Sequence, residues 1–369
     1  MKKVIFSLLL CGVIAASVFA APSSQAPAAR TSSGTPTVWL LTDATGVDDK
    51  SFNAAAWRGI LEFYGDTWQN QRQRGRYYEV ITSQPDMYVP TLRQATDEGH
   101  DLIVTTGFTW ADALGTVAAQ NRNQKYMIVD VDWVGGSNVM QAVYAEHEAS
   151  YLVGVAAALK ARADGISNPR FGFIGGVPGA TITKFQVGYV QGILSIFPNA
   201  QIVDYYANDW GRPDLAKTQA QFWYDSGVYA IYSAAGGTGN GTIAQAKEYR
   251  LAGRNVWAIG VDSDQHEEGL YTATESAVLT SMLKKVETSL LYALRAVQNN
   301  TFRGETITFN LADDGVGYST TNPALTADIR TELERVRQQI VNGQVRVAAT
   351  YAEARRLPGF PQDLRAIDD

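Results

Sequence analysis

From residue 37 onward, short apolar and β-branched runs alternate with stretches whose apolar positions recur every three or four residues. The runs predict strands at Val38–Thr42, Tyr77–Thr82, Leu102–Thr106, Tyr126–Val131, Phe171–Ile174, Ile202–Tyr206, Val228–Ser233, Val256–Val261 and Val278–Met282. Between them lie helical spacings. Trp57, Ile60, Leu61 and Tyr64 follow the i, i+3, i+4, i+7 rule behind a Ser51/Asn53 cap, and an Ala- and Leu-rich helix over Tyr151–Ala161 is introduced by Glu146-His147-Glu148. Strand–helix–strand alternation calls for parallel sheets covered on both faces. Nine strand candidates in about 300 residues exceed what one compact doubly wound sheet usually carries. The expected fold is therefore α/β with two doubly wound parallel-sheet lobes. Lobe 1 would span 37–136 and 263–312, and lobe 2 would span 137–262 and 313–352. The lobe changes fall near Gly135–Asn138, Asp262–Gln265 and Gly315–Tyr318, the last sending the helix Ile329–Val341 back to lobe 2. Residues 353–369, broken by Pro358-Gly359-Phe360-Pro361, read as a surface tail.

Composition narrows the function. With 31 Lys+Arg against 37 Asp+Glu and a net charge of −6, the chain lacks the basic face that a nucleic-acid partner requires. One cysteine forms no internal disulfide or thiolate cluster, and His100, His147 and His266 lie far apart, so neither a metal nor another cofactor is expected. At the N-terminus Lys2-Lys3 precede the apolar run Val4–Ala20, which reads as a signal peptide over 1–20 followed by a flexible Ala/Ser/Pro-rich leader over 21–36. This makes the mature protein periplasmic or otherwise extracytoplasmic. Cys11 raises the alternative of a lipid anchor, but a Leu directly before it is a poor lipid-attachment signal, which favours cleavage near Ala20.

In open α/β sheets, ligands sit beyond the carboxyl ends of the strands. Asp43, Asp130 and Asp262 follow three of the apolar runs. One such Asp is as readily a helix cap as a ligand contact, whereas three suggest a shared polar site. Converging carboxylates accept hydrogen bonds from hydroxyls and base N–H groups and repel phosphate. Phe52, Phe108, Trp110 and Trp210 stand in loops where they could stack on such a ligand. Gly236-Gly237-Thr238-Gly239-Asn240-Gly241 follows a strand and opens a helix, but it has neither the P-loop ending nor the dinucleotide spacing. No Gly-x-Ser-x-Gly element and no Ser/His/Asp set is present. Thr42–Asp49 looks like the calcium-holding opening of nucleoside ribohydrolases, although Leu41 stands where an acid should begin it.

Longer motifs carry a specific resemblance. Gly46-Val47-Asp48-Asp49-Lys50-Ser51-Phe52-Asn53 with Ala56-Trp57-Arg58-Gly59, Glu146 to Gly154, Ala234 to Gly239, Gly260 to Gln265, Leu279 to Val286 and Asp314 to Gly317 are similar to the basic membrane protein family of ABC-transporter substrate-binding proteins. That family includes purine nucleoside receptors, and the likeness spans roughly residues 37 to 349. The resemblance implies a type I periplasmic-binding fold: two lobes, three crossovers and a ligand in the cleft between them. It maps ligand contacts onto Asp43, Phe52 with the adjoining Asn53, Asp130, Trp210, Gly236, Asp262 and Lys284. Phe52 and Trp210 would sandwich a base, Asp43 or Asp130 would accept from its N–H edge, and Asp262 with Lys284 would hold ribose hydroxyls. The implied protein is a monomer and not an enzyme. It takes a nucleoside, a purine one, and delivers it to an ABC permease in the inner membrane. The alternatives are a sugar or other small polar ligand, a sensor using the same cleft, and a calcium-dependent ribohydrolase.

Overall fold

The computed structural model describes residues 34–43 and 45–368; the expected signal peptide, Cys11 and the expected leader as far as residue 33 lie outside the described residues. The first sheet holds β1 (Val38–Thr42), β2 (Tyr77–Ile81), β3 (Leu102–Thr106), β4 (Tyr126–Val129), β5 (Val139–Tyr144) and the late β11 (Thr306–Phe309), in the order β11-β5-β4-β3-β1-β2. The second holds β6 (Arg170–Gly175), β7 (Gln201–Tyr206), β8 (Val228–Ala234), β9 (Trp257–Asp262), β10 (Val278–Lys284) and β12 (Val316–Tyr318), in the order β12-β10-β9-β8-β6-β7. Every pairing is parallel except that of β12 with β10. The helices are α1 (Phe52–Tyr64), α2 (Tyr88–Glu98), α3 (Ala111–Gln120), α4 (Glu146–Ala163), α5 (Ala180–Leu194), α6 (Pro213–Asp225), α7 (Asn240–Leu251), α8 (Val286–Gln298), α9 (Ala327–Val341) and α10 (Tyr351–Ala354). Strands β1, β3, β4, β8 and β9 are buried along their whole length, which is why they read as unbroken apolar runs. None of the helices among the described residues is long and apolar enough to cross a membrane.

Two doubly wound sheets joined by three crossovers are thus present, but the strands change sheet at other points than expected. Residues 139–144, expected in lobe 2, form β5 and pair with β4 through Tyr126↔Val139 to Val129↔Ala142. The first crossover therefore follows Tyr144. Val278–Lys284, expected in lobe 1, pairs with β9 as β10, so the second crossover follows Lys284. The third runs between Phe309 and Val316. An apolar run shows that a strand exists, but its sheet is set by a partner distant in sequence. β5, β11 and β12 went unpredicted because β5 follows directly on the expected lobe change and the other two are short edge strands with half-exposed residues.

The expected surface tail is also corrected. Phe360 and Leu364 are buried against Val187 and Val190 of α5. The Arg365 amide donates to Asp204 Oδ2 at 2.6 Å, and the Ile367 amide donates to Thr183 Oγ1 at 3.0 Å. The Pro-Gly break turns the chain so that Phe360 anchors it.

Helices α4 and α5 cross at close range because glycines meet carbonyls there. A Cβ on Gly154 would run into Tyr189 O, one on Gly188 into His147 O, and one on Gly192 into Tyr151 O. Gly192→Ala is expected to destabilise the fold by about 1–3 kcal/mol through overpacking, read by urea unfolding.

Candidate functional site

Both sheets present their carboxyl ends to one cavity. All eight residues named from the sequence line it: Asp43, Phe52, Asn53, Asp130, Trp210, Gly236, Asp262 and Lys284. The first sheet supplies Asp43 after β1 and Asp130 after β4, and α1 supplies Phe52 and Asn53 at its start. The second supplies Asp262 at the end of β9, Lys284 at the end of β10 and Gly236 after β8. Asp130 (φ 71°) and Asp262 (φ 62°) hold left-handed backbone, which costs of order 1–3 kcal/mol each and clusters at functional sites.

The loop over 46–51 sets the geometry of the first wall. Asp49, and not the expected Ser51 or Asn53 side chain, caps α1. Its Oδ1 accepts from the Ser51 and Ala54 amides at 2.9 and 3.0 Å, and its Oδ2 accepts from the Asn53 amide at 2.8 Å. Asp48 is exposed. The Asp-rich opening is therefore built as a helix cap, unlike the calcium-holding loop of a ribohydrolase. Ser51, released from capping, crosses the cleft and donates to Asp262 Oδ2 at 2.7 Å, while Ser263 donates back to Ser51 O at 2.8 Å. Asn240 Nδ2 donates to Asp49 O at 3.0 Å and adds a third link between the halves. Thr106 Oγ1 donates to Asn53 Oδ1 at 2.6 Å, which turns the amide so that Nδ2 donates to Asp43 Oδ1 at 3.2 Å.

Aromatic residues form the other lining. Phe108 lies edge-on to Trp210 with ring centroids 6.0 Å apart, and it also rests against Gly179. Trp210 is seated on Gly176, where any Cβ would strike the indole. Its loop is pinned to the glycine-rich turn Gly236–Gly239, because the Thr238 amide donates to Trp210 O at 2.7 Å. Sequence reasoning placed Phe108 among the aromatics but not among the site residues. It missed Ile182 and Phe185, which line the cavity from α5, because an amphipathic helix gives no sign of which apolar residue faces a ligand.

Charge is the dominant feature. Lys284 is 1% exposed, with Nζ 2.5 Å from Asp130 Oδ1 and 2.9 Å from Glu146 Oε1. Burial penalises its cation, but Asp130, Glu146 and Asp262 outweigh that penalty and hold the ammonium above its ordinary range. Burial pushes Asp43, Asp49, Asp130 and Asp262 up to about 6. At Asp130 the pull of Lys284 offsets part of that rise. Glu146 is held below its ordinary value, because Lys284 and then Lys184 overcome its burial. Asp262 Oδ1 is buried with no hydrogen-bond partner among the described residues.

A two-lobed α/β fold with a polar and aromatic cavity between the carboxyl ends of two sheets is that of a type I periplasmic-binding protein. The chain belongs to the family described as ABC transporter substrate-binding protein PnrA-like (Bmp), which its residues 37–351 match. A relative from Listeria monocytogenes, called CD4+ T-cell-stimulating antigen, is 35% identical over 94% of this chain and 99% of its own length. A Lactococcus lactis protein called ABC transporter nucleoside-binding protein BmpA is 33% identical over 84% of this chain and 88% of its own. The crystal structure of an ABC transporter solute-binding protein from Aeropyrum pernix shares the fold, with a TM-score of 0.75 and 23% identity over 87% of this chain and 96% of that one.

A buried carboxylate with a free oxygen makes a site costly to hold empty. Asp262→Asn is expected to stabilise the ligand-free protein by about 1–3 kcal/mol at pH 7.5. Because the Asp262 carboxyl is raised to about 6, the folded wild type takes up its proton as pH falls through that value, and the cost of its charge then disappears. The gap in thermal midpoint between variant and wild type should shrink below pH 6 and close near pH 4.

Proposed function

We propose that this substrate-binding protein works outside the cytoplasmic membrane, takes a nucleoside, a purine one, into its cleft, and hands it to an ABC permease without chemical change. The observation that carries the reading is Asp262 Oδ1, a buried unpartnered acceptor in the same cavity as Lys284 and the rings of Phe52, Phe108 and Trp210. A nucleoside is half hydroxyls and half flat heterocycle and has a use for both. Ribose hydroxyls donate to Asp262 and accept from Lys284. The base stacks between Phe52 and Trp210, and its N–H edge meets Asp43 beside Asn53. The name of the Lactococcus lactis relative supports the same ligand class. Among the described residues that line the cavity, Asp43, Asp49, Asp130 and Asp262 stand against one lysine, Lys284, which leaves an excess of three carboxyls. That excess turns away phosphate and favours an uncharged ligand.

Titration calorimetry at pH 7.5 with guanosine, inosine, adenosine, their 5′-monophosphates and free ribose tests this reading. Nucleosides should bind, and the monophosphates should bind at least about 100-fold more weakly, since like-charge juxtaposition costs several kcal/mol. Ribose binding without nucleoside binding would select the sugar alternative, and no heat with any nucleoside would overturn the proposal. Phe52→Ala and Trp210→Ala should each weaken nucleoside binding by about 1–3 kcal/mol, the worth of one stacking face.

A further inference from the structure

The Glu146-His147-Glu148 turn belongs to the family motif, yet none of its residues lines the cavity. Glu146 opens α4 and is 1% exposed. Its Oε1 lies 2.9 Å from Lys284 Nζ, and its Oε2 lies 3.4 Å from Lys184 Nζ, which donates to Tyr144 O at 3.3 Å. An ammonium has three N–H donors. Two carboxylate oxygens, Asp130 Oδ1 and Glu146 Oε1, lie beside Lys284 Nζ, so one N–H can still serve the cavity that Lys284 lines. The rings of Phe52, Tyr144 and Phe185 stand 5.1, 4.9 and 5.3 Å from Nζ and occupy its flanks. The two counter-charges differ in attachment. Asp130 ends a strand of the first sheet, across the cleft from Lys284, whereas Glu146 sits on α4, which packs against β10 itself.

We infer that Glu146 is a positioning residue: from behind the cavity it holds the Lys284 ammonium in place so that its remaining N–H is aimed at a ligand hydroxyl. This rests on the nucleoside reading of the site. A neutral acceptor would not serve equally well, because a buried cation left with one carboxylate fewer relaxes toward the counter-charges that remain, here Asp130 and Asp262. Glu148, two residues on, supplies the internal comparison. Its Oε2 accepts from the Leu311 amide at 3.0 Å, so it braces the third crossover on the same turn without touching Lys284.

Calorimetry with guanosine on wild type, Glu146→Gln, Lys284→Met, the double variant and Glu148→Gln separates positioning from mere structure. Glu146→Gln should weaken binding at least about tenfold in the wild-type background and less than about twofold in the Lys284→Met background, a non-additivity that only a shared contact produces. Glu148→Gln should bind within about twofold of wild type. An equal loss in both backgrounds, or wild-type affinity in a folded Glu146→Gln protein, would overturn the inference. Should Glu146→Gln not fold, Lys184→Met takes its place, loosening Glu146 from the outside. A loss of about threefold that vanishes with Lys284→Met supports the inference, and one that persists overturns it. The same proteins unfolded in urea without ligand decide the case even where guanosine does not bind at all. Coupling of about tenfold between positions 146 and 284 in the unfolding equilibrium upholds the clamp and additivity removes it, while absent binding by wild type counts only against the nucleoside.

Discussion

A lysine ammonium withdrawn from water must be balanced by carboxylates whose positions are fixed, and Lys284 is such a group. Its partners come from two places. Asp130 sits at the end of a first-sheet strand, and Glu146 starts the helix that leads into the second half. Charge balance and closure of the cleft are therefore one condition. If the halves separate at Asp130, Lys284 keeps Glu146 and loses its shorter contact, and Asp130 must be rehydrated. Removing one member of a buried ion pair outright typically costs about 3–5 kcal/mol, so the pairing holds the sheets in register across the cavity. The Ser51–Asp262 and Asn240–Asp49 hydrogen bonds add directional links around the rim of the same cavity.

The remainder of the site is arranged at a cost to the empty protein. Two aspartates are held in left-handed backbone, four carboxyls are raised toward neutrality by burial, and one Asp262 oxygen has no donor. A ligand that supplies hydroxyl and N–H donors recovers part of that cost at the moment of binding, which makes binding energy and closure additive. An anionic ligand would add a further uncompensated charge beside the same acids. Aromatic rings from both halves, Phe52 and Phe108 from one and Trp210 from the other, line the same cavity.

Much of this was legible in the chain. Strand-end position alone singled out Asp43, Asp130 and Asp262, because a fully buried strand must release its first polar side chain at the sheet's edge. Phe52 stood out as a loop aromatic and Gly236 as part of a glycine run after a strand, but Lys284 became recognisable only through a family motif, since a lysine after an apolar run does not reveal that it will be buried. Glu146 was in view as a helix opener, but its partner Lys284 is distant in sequence and no spacing rule connects them. The assignment of β5 and β10 to the wrong halves has the same origin: apolar periodicity reports that a strand is buried and says nothing about its neighbour. Phe360 was misread because a Pro-Gly break marks a turn equally well in a free tail and in one that folds back.

The proposed nucleoside site between the two sheets is held together through Lys284. A crystal structure of the protein grown with guanosine tests it most directly. Expected are ribose hydroxyls within hydrogen-bond distance of both Asp262 Oδ1 and Lys284 Nζ, the base between Phe52 and Trp210, and Lys284 still in contact with Asp130 and Glu146. Guanosine bound elsewhere, or a cleft that closes with Lys284 released from both carboxylates, would contradict it.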